Sequence, residues 1–314
     1  PPAQLLPGKA YLYFSHTIKG QPYNMPMLRR LLELGCTLMD YERVLDDQNR
    51  RLIFFGRYAG LAGMIDTLWA LGQRLELEGV SSPLSLVRRA YDYAGLAEAV
   101  EDIKHVGAVL RRIPLPAPFR PLVFGVSGYG NVSLGAQEIL AHLGVDTVSV
   151  EQLPEAAASS TSTALQVVFK EQHLVRPLDG AFELQHYYQH PEAYGADFYR
   201  HLQHLHVLVN CIYWEARYPR LVSNEDLKQL YGGAEPPRLR IIGDISCDVQ
   251  GSVQATVKAT EPDNPVFVYD LDADAAVDGV VGRGPVIMSV DNLPAELPRE
   301  ASEHFSNTLR PFAA

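Results

Sequence analysis

Residues 122–136 of this 314-residue chain read LVFGVSGYGNVSLGA. The segment opens with the short apolar run of a buried strand, and the helical pattern that follows runs from about Val132 to Leu143. Gly128 and Gly130 lie in the turn between the two. A glycine-rich turn in this position is typical of dinucleotide-binding folds, in which a helix N-terminus binds the diphosphate. The segment therefore predicts an α/β fold with a parallel sheet.

The glycine turn matches the dinucleotide fingerprint in part. Gly128 would permit a tight turn and Gly130 would let a diphosphate approach the backbone, whereas Ser133 stands where a third glycine is usual. The turn predicts cofactor contacts from Gly128, Gly130, Asn131 and Val132. The alternative interpretation is a turn whose glycines serve only the packing of strand on helix.

Glu151 follows the next predicted strand, Thr147–Val150. It lies about 20 residues beyond Gly128, the spacing at which an acidic residue binds the ribose hydroxyls in dinucleotide-binding folds. A carboxylate there would repel a 2′-phosphate, so the cofactor is predicted to be NAD or NADP, with NAD favoured. The Ala- and Ser-rich residues 154–164 predict a loop.

Upstream of the turn, the pattern predicts a second α/β region. A strand over Tyr11–Ser15, a helix over Met25–Leu34 and a strand over Cys36–Asp40 form a strand–helix–strand unit, which favours a parallel sheet. Residues 56–77 predict a buried helix that crosses between domains and whose small residues allow close approach to other backbone. The prolines of residues 113–121 predict a domain boundary.

Composition excludes several classes of protein. Hydrophobic residues make up 47% and charged residues 20%, which indicates a globular chain rather than a disordered one. The net charge of −10 argues against nucleic acid or anionic membrane partners. Cys36, Cys211 and Cys247 lie far apart, which suits a reducing compartment. With no apolar run of membrane-spanning length and no signal-peptide pattern, the chain is predicted to be intracellular and cytoplasmic.

A histidine follows the first predicted strand. His16 could transfer a proton near neutral pH, and Lys19 and Gln21 could hold a carboxylate or an amine. Arg50 and Arg51 could form a clamp for a dicarboxylate. A surface turn and solvated arginines are the alternatives, and spacing does not decide between them.

A group of histidines near His201, His204 and His206 raises the question of a metal site. His201 and His204 share a helical face that His206 does not, and no carboxylate or cysteine completes a set at a recognised spacing. No metal is predicted.

Motifs along the chain carry a resemblance to a known family. They are FSHTIK (14–19), DYE (40–42), FGRYAGLAGM (55–64), GxGNVSxGA (128–136), NCIYWE (210–215), GDIS (243–246) and DNLPAELPREAS (291–302). These motifs resemble the lysine-ketoglutarate reductase domain of bifunctional aminoadipic semialdehyde synthases and, more loosely, the lysine-forming saccharopine dehydrogenases. Both belong to the fold group of alanine dehydrogenase and the transhydrogenase N-terminal region.

The resemblance implies two Rossmann-like domains with parallel sheets around a cleft. The N-terminal substrate domain would comprise residues 1–117 plus 286–314, with a truncated sheet, and the dinucleotide-binding domain residues 118–285. The implied activity is that of an oxidoreductase of lysine metabolism. It interconverts lysine plus 2-oxoglutarate with saccharopine, using NAD or NADP.

The resemblance also implies roles for individual residues. His16 matches the acid–base histidine of the family. The matching substrate-contact positions are Gln21, Arg50, Arg51 and Phe55. The matching cofactor positions are Gly130, Asn131, Glu151, Cys211, Gly243, Asp244, Ile245 and Ser246.

One feature of the family has no counterpart in this sequence. The family's second acid–base group, a lysine, precedes the histidine strand, and Pro1–Pro2 aligns just after that lysine. The chain is therefore expected to be a trimmed piece of a larger parent chain, or else a catalytically silent NAD(P)-binding regulatory module. A related dehydrogenase acting on another amino acid, such as alanine, is a third possibility, and a homo-oligomer stays open.

Overall fold

The computed structural model describes residues 2–18, 20 and 22–312. The chain divides into two compact units. The smaller unit comprises Pro1–Phe55 with Ser302–Ala314, and the larger unit comprises Gly56–Ala301.

The described residues form an α/β structure. The helices are α1 (Met25–Glu33), α2 (Gly56–Leu77), α3 (Leu96–Arg112), α4 (Asn131–Leu143), α5 (Leu153–Ser159), α6 (Glu171–Leu174), α7 (Leu184–Gln189), α8 (Tyr199–Leu202), α9 (Asn224–Tyr231) and α10 (Pro298–Leu309). The strands are β1 (Ala10–Tyr13), β2 (Thr37–Asp40), β3 (Leu122–Ser127), β4 (Asp146–Thr147), β5 (Ala164–Phe169), β6 (Val175–Pro177), β7 (Tyr194–Ala196), β8 (Val207–Asn210), β9 (Ile241–Asp244), β10 (Val266–Asp270), β11 (Ala275–Asp278) and β12 (Val286–Met288). Within the part of the chain that the structure describes, no helix is both long enough and apolar enough to cross a bilayer.

The larger unit is built on one eight-stranded sheet with the order β11-β10-β12-β9-β8-β3-β5-β4. Neighbouring strands are parallel from β12 to β4, and β10 is antiparallel to both β11 and β12. Strands β3, β8 and β9 are buried along their whole length, as expected for a sheet covered on both faces. The predicted α/β fold with a mostly parallel sheet is confirmed.

The path of the chain through this sheet reverses next to β3. From β3 the chain visits β4 and β5 on one side and later β8 and β9 on the other. Ligands of doubly wound sheets bind outside the carboxyl ends of strands at such a point. The strand beside β3 is β5, paired from Leu122↔Ala164 to Ser127↔Phe169, whereas β4 lies one position farther out.

Helix α2 lies directly against α4, as its small residues predict. A Cβ on Gly60 would collide with the carbonyl oxygen of Val132, and one on Gly135 would collide with the carbonyl oxygen of Arg57. The two glycines therefore allow backbone-to-backbone contact that any larger residue would prevent. This contact fixes the first turn of α4, which begins the predicted cofactor site.

The boundaries of the two compact units differ from those of the predicted domains. Because α2 packs on α4 and β12 pairs with β9 inside the large sheet, residues 56–117 and 286–301 group with the larger unit. The predicted loop over residues 154–164 is wrong in its first half, since α5 covers Leu153–Ser159. Pro154 is favourable in the first turn of a helix and the alanines that follow are strong helix formers.

The smaller unit has a two-stranded parallel sheet of β1 and β2, joined through α1. Residues along both strands alternate between exposed and half-buried. Leu31 and Ile53 are fully buried, at 2% and 1% exposure, and supply its apolar centre. A sheet of two strands is only marginally stable alone, so this unit depends on its side-chain contacts.

Candidate functional site

The glycine turn joins β3 to α4 and leaves one side open. Gly128 has a φ of +90°, which favours glycine, and a Cβ there would lie 3.1 Å from the carbonyl oxygen of Cys211. A Cβ on Gly130 would meet no described atom within 4 Å. Asn131 begins α4 and is exposed, and Val132 is half-buried. The turn therefore presents bare backbone and the N–H groups of a helix start to the outside.

A cavity of about 490 Å³ lies beside this turn, within the larger unit. Its volume falls in the range of about 300–1,000 Å³ that is usual for small-molecule sites. The carboxyl ends of β3, β5 and β8 border it. Its wall is largely aromatic and includes Tyr129, Tyr187, Tyr188, Tyr213, Trp214 and Tyr218.

A carboxylate lies at the edge of the turn. Glu171 Oε1 accepts hydrogen bonds from the hydroxyl of Tyr129, at 3.2 Å, and from the hydroxyl of Tyr188, at 2.7 Å. Burial and the neighbouring carboxylate of Glu171 raise the pKa of Tyr188 above its usual range. The ammonium of Lys170 lies 5.6 Å from the centre of the Tyr129 ring. Glu171 and Lys170 both line the cavity.

Glu151, the predicted ribose-binding acid, does not line the cavity. It follows β4, and β5 separates β4 from β3. Its carboxylate is exposed, and its hydrogen bond with Ser149 lowers its pKa. The structure thus brings Glu171, and not Glu151, to the glycine turn.

The sequence contains a signal for Glu171, although residue spacing does not reveal it. The run ALQVVF (164–169) is a clear strand pattern, and Lys170 and Glu171 follow it directly. The spacing rule assumes that the first strand after the turn lies beside β3. Here that strand is the outer one, so the acid that the rule selects lies one strand farther from the glycine turn than Glu171.

Asp244, a predicted cofactor residue, is enclosed in a buried network. Its carboxylate accepts hydrogen bonds from Asn210 Nδ2, at 2.8 Å, and from the hydroxyl of Thr256, at 2.6 Å. Asn210 in turn accepts one from Ser127, at 3.0 Å. Burial raises the pKa of Asp244 to about 6. The network joins the carboxyl ends of β3, β8 and β9, and Asp244 within it is 1% exposed.

The other predicted cofactor residues at the carboxyl ends of β8 and β9 differ in their access to the cavity. Gly243 and Ile245 are buried, and Ser246 donates a hydrogen bond to the carbonyl of Ile212, at 2.8 Å. Cys211 lines the cavity, and burial raises the pKa of its thiol well above its usual range. Of this group, only Cys211 borders the cavity.

His16 in the smaller unit is held by a carboxylate. Its Nδ1 lies 3.0 Å from Oε1 and 3.1 Å from Oε2 of Glu42. Its ring stacks on Phe14, with centroids 5.1 Å apart and planes inclined by 11°. Because a carboxylate accepts hydrogen bonds, Glu42 favours the tautomer with the proton on Nδ1, which leaves the lone pair on Nε2.

Glu42 is not among the site residues that the sequence predicts. It is 6% exposed, and its backbone N–H donates to Asp40 Oδ1 at 2.9 Å in the short turn after β2. Glu42 could be found as a partner of His16 from the pairing of β1 with β2, because His16 follows β1 and Glu42 follows β2. The carboxyl ends of paired parallel strands lie side by side, so polar residues just beyond them meet.

The two predicted clamp arginines bind different carboxylates. Arg50 pairs with Asp46, at 2.7 Å, in an exposed turn, and Arg51 NH1 lies 3.6 Å from Glu42 Oε1. Phe55 stacks on Phe305 with centroids 5.4 Å apart. Arg51 therefore joins the group of His16, Glu42 and Phe14, whereas Arg50 does not. Lys19 and Gln21 lie outside the described residues.

His206 has a structural role. His206 Nδ1 accepts from the backbone N–H of Val123 at 3.0 Å, and its Nε2 lies 3.1 Å from the carbonyl of Pro118. Burial lowers the pKa of His206 to about 3. Over the described residues, no three or more metal-ligating side chains are grouped so that they could hold a metal ion.

The fold and the glycine turn together define a class of protein, the α/β proteins that bind nucleotides at the carboxyl edge of a parallel sheet. The sequence profile of the family described as alanine dehydrogenase/PNT, C-terminal domain, matches residues 122–314. The chain belongs to this family.

Curated relatives resemble the chain over nearly its whole length. The alpha-aminoadipic semialdehyde synthase of Arabidopsis thaliana is 39% identical over 323 residues, which cover 98% of this chain and 30% of that protein. The mitochondrial synthase of Bos taurus is 34% identical, covering 99% of this chain and 35% of that protein. The saccharopine dehydrogenase [NAD(+), L-lysine-forming] of Neurospora crassa is 27% identical, with 96% and 67% covered. The chain thus spans about a third of the length of the synthases.

A solved structure shows the same fold. An L-alanine dehydrogenase aligns with a TM-score of 0.54 at 14% sequence identity, covering 99% of this chain and 66% of that one.

Proposed function

We propose that this chain is a nicotinamide-dependent oxidoreductase region that condenses lysine with 2-oxoglutarate to saccharopine, or catalyses the reverse. The observation that carries the proposal is the open glycine turn beside an aromatic cavity, at the reversal point of a parallel sheet. Saccharopine and L-lysine appear in the names of the relatives, and 2-oxoglutarate follows from the family resemblance of the sequence motifs.

The residues of the larger unit fit a dinucleotide. The open face of Gly130 leaves space at the backbone, the start of α4 offers N–H groups and a positive dipole end to a diphosphate, and the aromatic wall suits a base. When bound, the nicotinamide would carry the hydride of the reaction.

The chemistry also needs a group that moves protons. In the forward direction the amine of lysine attacks the keto carbon of 2-oxoglutarate, water leaves, and hydride addition to the imine carbon gives the secondary amine of saccharopine. Each addition and loss at nitrogen or oxygen requires a proton transfer. His16 would supply it at Nε2, because Glu42 holds Nδ1 and so fixes the orientation of the ring.

The smaller unit also offers a group for the substrate carboxylates. Arg51 lies over the ring of Phe14, 5.5 Å from its centre, and is half-exposed, so its guanidinium can bind a second carboxylate besides Glu42. Lys19 and Gln21 remain predicted substrate contacts from the sequence. Arg50, tied to Asp46, is a weaker candidate.

The compartment is a separate part of the proposal. We retain an intracellular, cytoplasmic location because Cys36, Cys211 and Cys247 are all unbridged. The name of the Bos taurus relative includes the word mitochondrial. Fractionation of cells that express the protein with its natural flanking sequence decides between the two compartments.

The activity is tested with the protein carrying its natural flanking sequence. We expect saccharopine-dependent reduction of NAD⁺ or NADP⁺, measured by the absorbance of the reduced nicotinamide, and no reduction with alanine in place of saccharopine. Binding of NADH or NADPH is measured in parallel by fluorescence. Binding without turnover would replace this proposal with a silent nucleotide-binding module, and absence of both would remove it.

A further inference from the structure

A second cavity of the larger unit lies at the edge of the sheet opposite the glycine turn. Its volume of about 660 Å³ falls in the range of about 300–1,000 Å³ that is usual for small-molecule sites. Arg240 directly precedes β9, and Arg283 lies just before β12; both line the cavity. These strands belong to the parallel part of the sheet that contains β3, so their amino ends lie away from the turn. The two cavities share no described lining residue.

Two enclosed arginines of the second cavity share one carboxylate. Arg240 Nε donates to Glu78 Oε2 at 2.8 Å, and Arg74 Nε donates to Glu78 Oε1 at 2.7 Å. The side chains of Arg240 and Arg74 are only 7% and 11% exposed. Two positive charges therefore face one negative charge, in surroundings from which water is largely excluded. Because an enclosed charge without a counter-ion is costly, this excess of positive charge favours an anion here.

Both arginines retain N–H donors that the protein does not use. Nη1 of Arg74 donates to the carbonyls of Val280, at 2.7 Å, and Gly282, at 3.2 Å. Nη1 of Arg240 donates to the carbonyl of Pro237. Among the described residues, the Nη2 group of neither arginine has a hydrogen-bond acceptor. Each Nη2 carries two N–H groups, and guanidinium N–H groups are the preferred donors to carboxylate and phosphate oxygens.

The remaining charges near the second cavity lie toward solvent. Arg283 pairs with Asp272, at 2.9 Å, and both side chains are more than half exposed. Glu235, the other acid of the lining, is exposed, so solvent screens its charge. The enclosed charge of the cavity is therefore that of the two arginines and their shared carboxylate.

The rest of the wall leaves space for an organic group. Residues 233–237 and 282–284 contribute mainly glycines and prolines, which carry little bulk. The ring of Tyr231 adds apolar surface, since its hydroxyl is already used in donating to the carbonyl of Leu239 at 2.7 Å. The cavity thus combines a positive end with room for more than a bare inorganic ion.

We propose that the second cavity binds a small organic molecule through an oxyanion group, a carboxylate or a phosphate. Arg74 and Arg240 hold the oxyanion through their Nη2 groups, and Glu78 keeps the two guanidiniums side by side. The ligand supplies the negative charge that the three side chains lack. The site uses no residue of the glycine turn or of the group around His16, so it does not depend on the function proposed above.

Binding is tested by calorimetric titration with two probes, inorganic phosphate and succinate, at an ionic strength held constant with sodium chloride. We expect at least one probe to bind the parent, and the tighter one identifies the kind of oxyanion. Arg240→Gln should weaken that probe at least tenfold, since hydrogen bonds to a charged group are lost, and Arg74→Gln should do the same. Arg30→Gln, at an exposed arginine paired with Glu33, is the control and should bind like the parent.

A variant of the shared carboxylate separates ligand binding from a purely structural ion pair. Glu78→Gln removes a negative charge next to the oxyanion, so it should bind the probe severalfold more tightly than the parent. The probe should also raise the thermal unfolding temperature of Glu78→Gln more than that of the parent. An ion pair that serves only to tie α2 to β9 would lose stability in this variant without any gain in affinity.

The glycine turn is a second place where phosphate would bind, so Gly130→Val is titrated as well. The probe should bind Gly130→Val like the parent and should fail to bind when Arg240→Gln is added. Loss in Gly130→Val with retention in Arg240→Gln assigns the probe to the turn and overturns the proposal. Absence of binding of both probes to the parent at up to about 10 mM overturns it too. None of these outcomes alters the dehydrogenase assay, which contains neither probe.

Discussion

The two candidate sites of this molecule, the glycine turn and the group around His16, are held in place by different kinds of contact. The glycine turn follows strand β3, which is buried along its whole length, and the turn presents mainly backbone. His16 follows strand β1, whose residues alternate between exposed and half-buried, and its contacts are with the side chains of Glu42 and Phe14.

The difference shows where each site is sensitive to substitution. The position of the glycine turn depends on the packed sheet beneath it, so a change in the core of the larger unit should affect folding. The position of His16 depends on a few polar and ring contacts, so a change there should affect the chemistry while the larger unit stays folded. The predictions below test this contrast, from the largest expected effect to the smallest.

Replacement of the imidazole gives the largest expected effect. His16→Ala removes the proposed proton-transfer group, and general acid–base catalysis of this kind contributes about 10²–10⁴-fold to a rate. We expect kcat of the protein with its natural flanking sequence to fall within that range while NADH affinity changes less than twofold. His190→Ala, at an exposed histidine paired with Glu192, is the control. A rate near that of the parent would show that His16 is not the acid–base group.

The packed sheet and the small sheet should respond unequally to the same truncation. Leu208 in β8 is 0% exposed, and Leu12 in β1 is 40% exposed. Leu208→Ala should lower the free energy of unfolding by about 2–5 kcal/mol, as for other core leucines. Leu12→Ala should lower it by less than about 1 kcal/mol. Urea unfolding measures both, and equal losses would contradict the contrast between the two units.

A side chain on the open face of the glycine turn should affect binding and not folding. Gly130 has an extended backbone, with φ −80° and ψ −171°, that valine adopts readily, and a Cβ there meets open space. Gly130→Val should therefore weaken NADH binding at least tenfold, on the order of 1.4 kcal/mol, because the valine would occupy the space of the diphosphate. Leu134→Ala, at an exposed position of α4, is the control. Normal NADH affinity in Gly130→Val would show that the turn does not hold the diphosphate.

A buried pair of carboxyls should give the smallest effect, seen as a pH dependence of stability. Asp66 and Glu296 are 0% and 2% exposed, and burial together with their mutual repulsion raises the pKa of Glu296. Burial also raises the pKa of Asp66. The folded chain therefore binds protons more tightly than the unfolded chain. The free energy of unfolding should fall as the pH rises from about 4, the ordinary carboxyl range, through neutrality.

Glu296→Gln tests the buried pair of carboxyls, and Glu155→Gln is its control. Glu296→Gln removes one titrating group, so it should flatten the dependence and raise the free energy of unfolding near pH 8 by on the order of 1 kcal/mol. Glu155 is exposed, and its variant should follow the parent. Chemical unfolding at several pH values measures the slope, and a slope in Glu296→Gln equal to that of the parent would contradict the prediction.

Local sequence predicts those parts of the fold whose signals are local. The strand that ends at the glycine turn, helix α2 and strand β8 follow directly from apolar runs, small residues and glycines. Helix α5 was missed because a run of Ala and Ser suits both a loop and a helix. The larger unit contains α2 and β12 because of contacts between distant segments, which no short pattern specifies.

The site residues also differ in whether local sequence is enough to predict them. The backbone of Gly128 and Gly130 and the position of His16 can be read from motifs that follow strands. Glu171 and Glu42 depend on which strands lie side by side, and that information is in the sheet rather than in the spacing. Asp244 has the residue type of a ligand contact, but its burial and three-strand network become visible only in the structure.

The backbone of His16 has a consequence for how its ring is aimed. Its φ of +49° lies in a region that residues with a side chain rarely adopt, at a cost of roughly 1–2 kcal/mol. That bend orients the ring through the main chain as well as through Glu42. This cost arises once, when the polypeptide folds, so little further ordering of the ring would be needed for the proposed proton transfer.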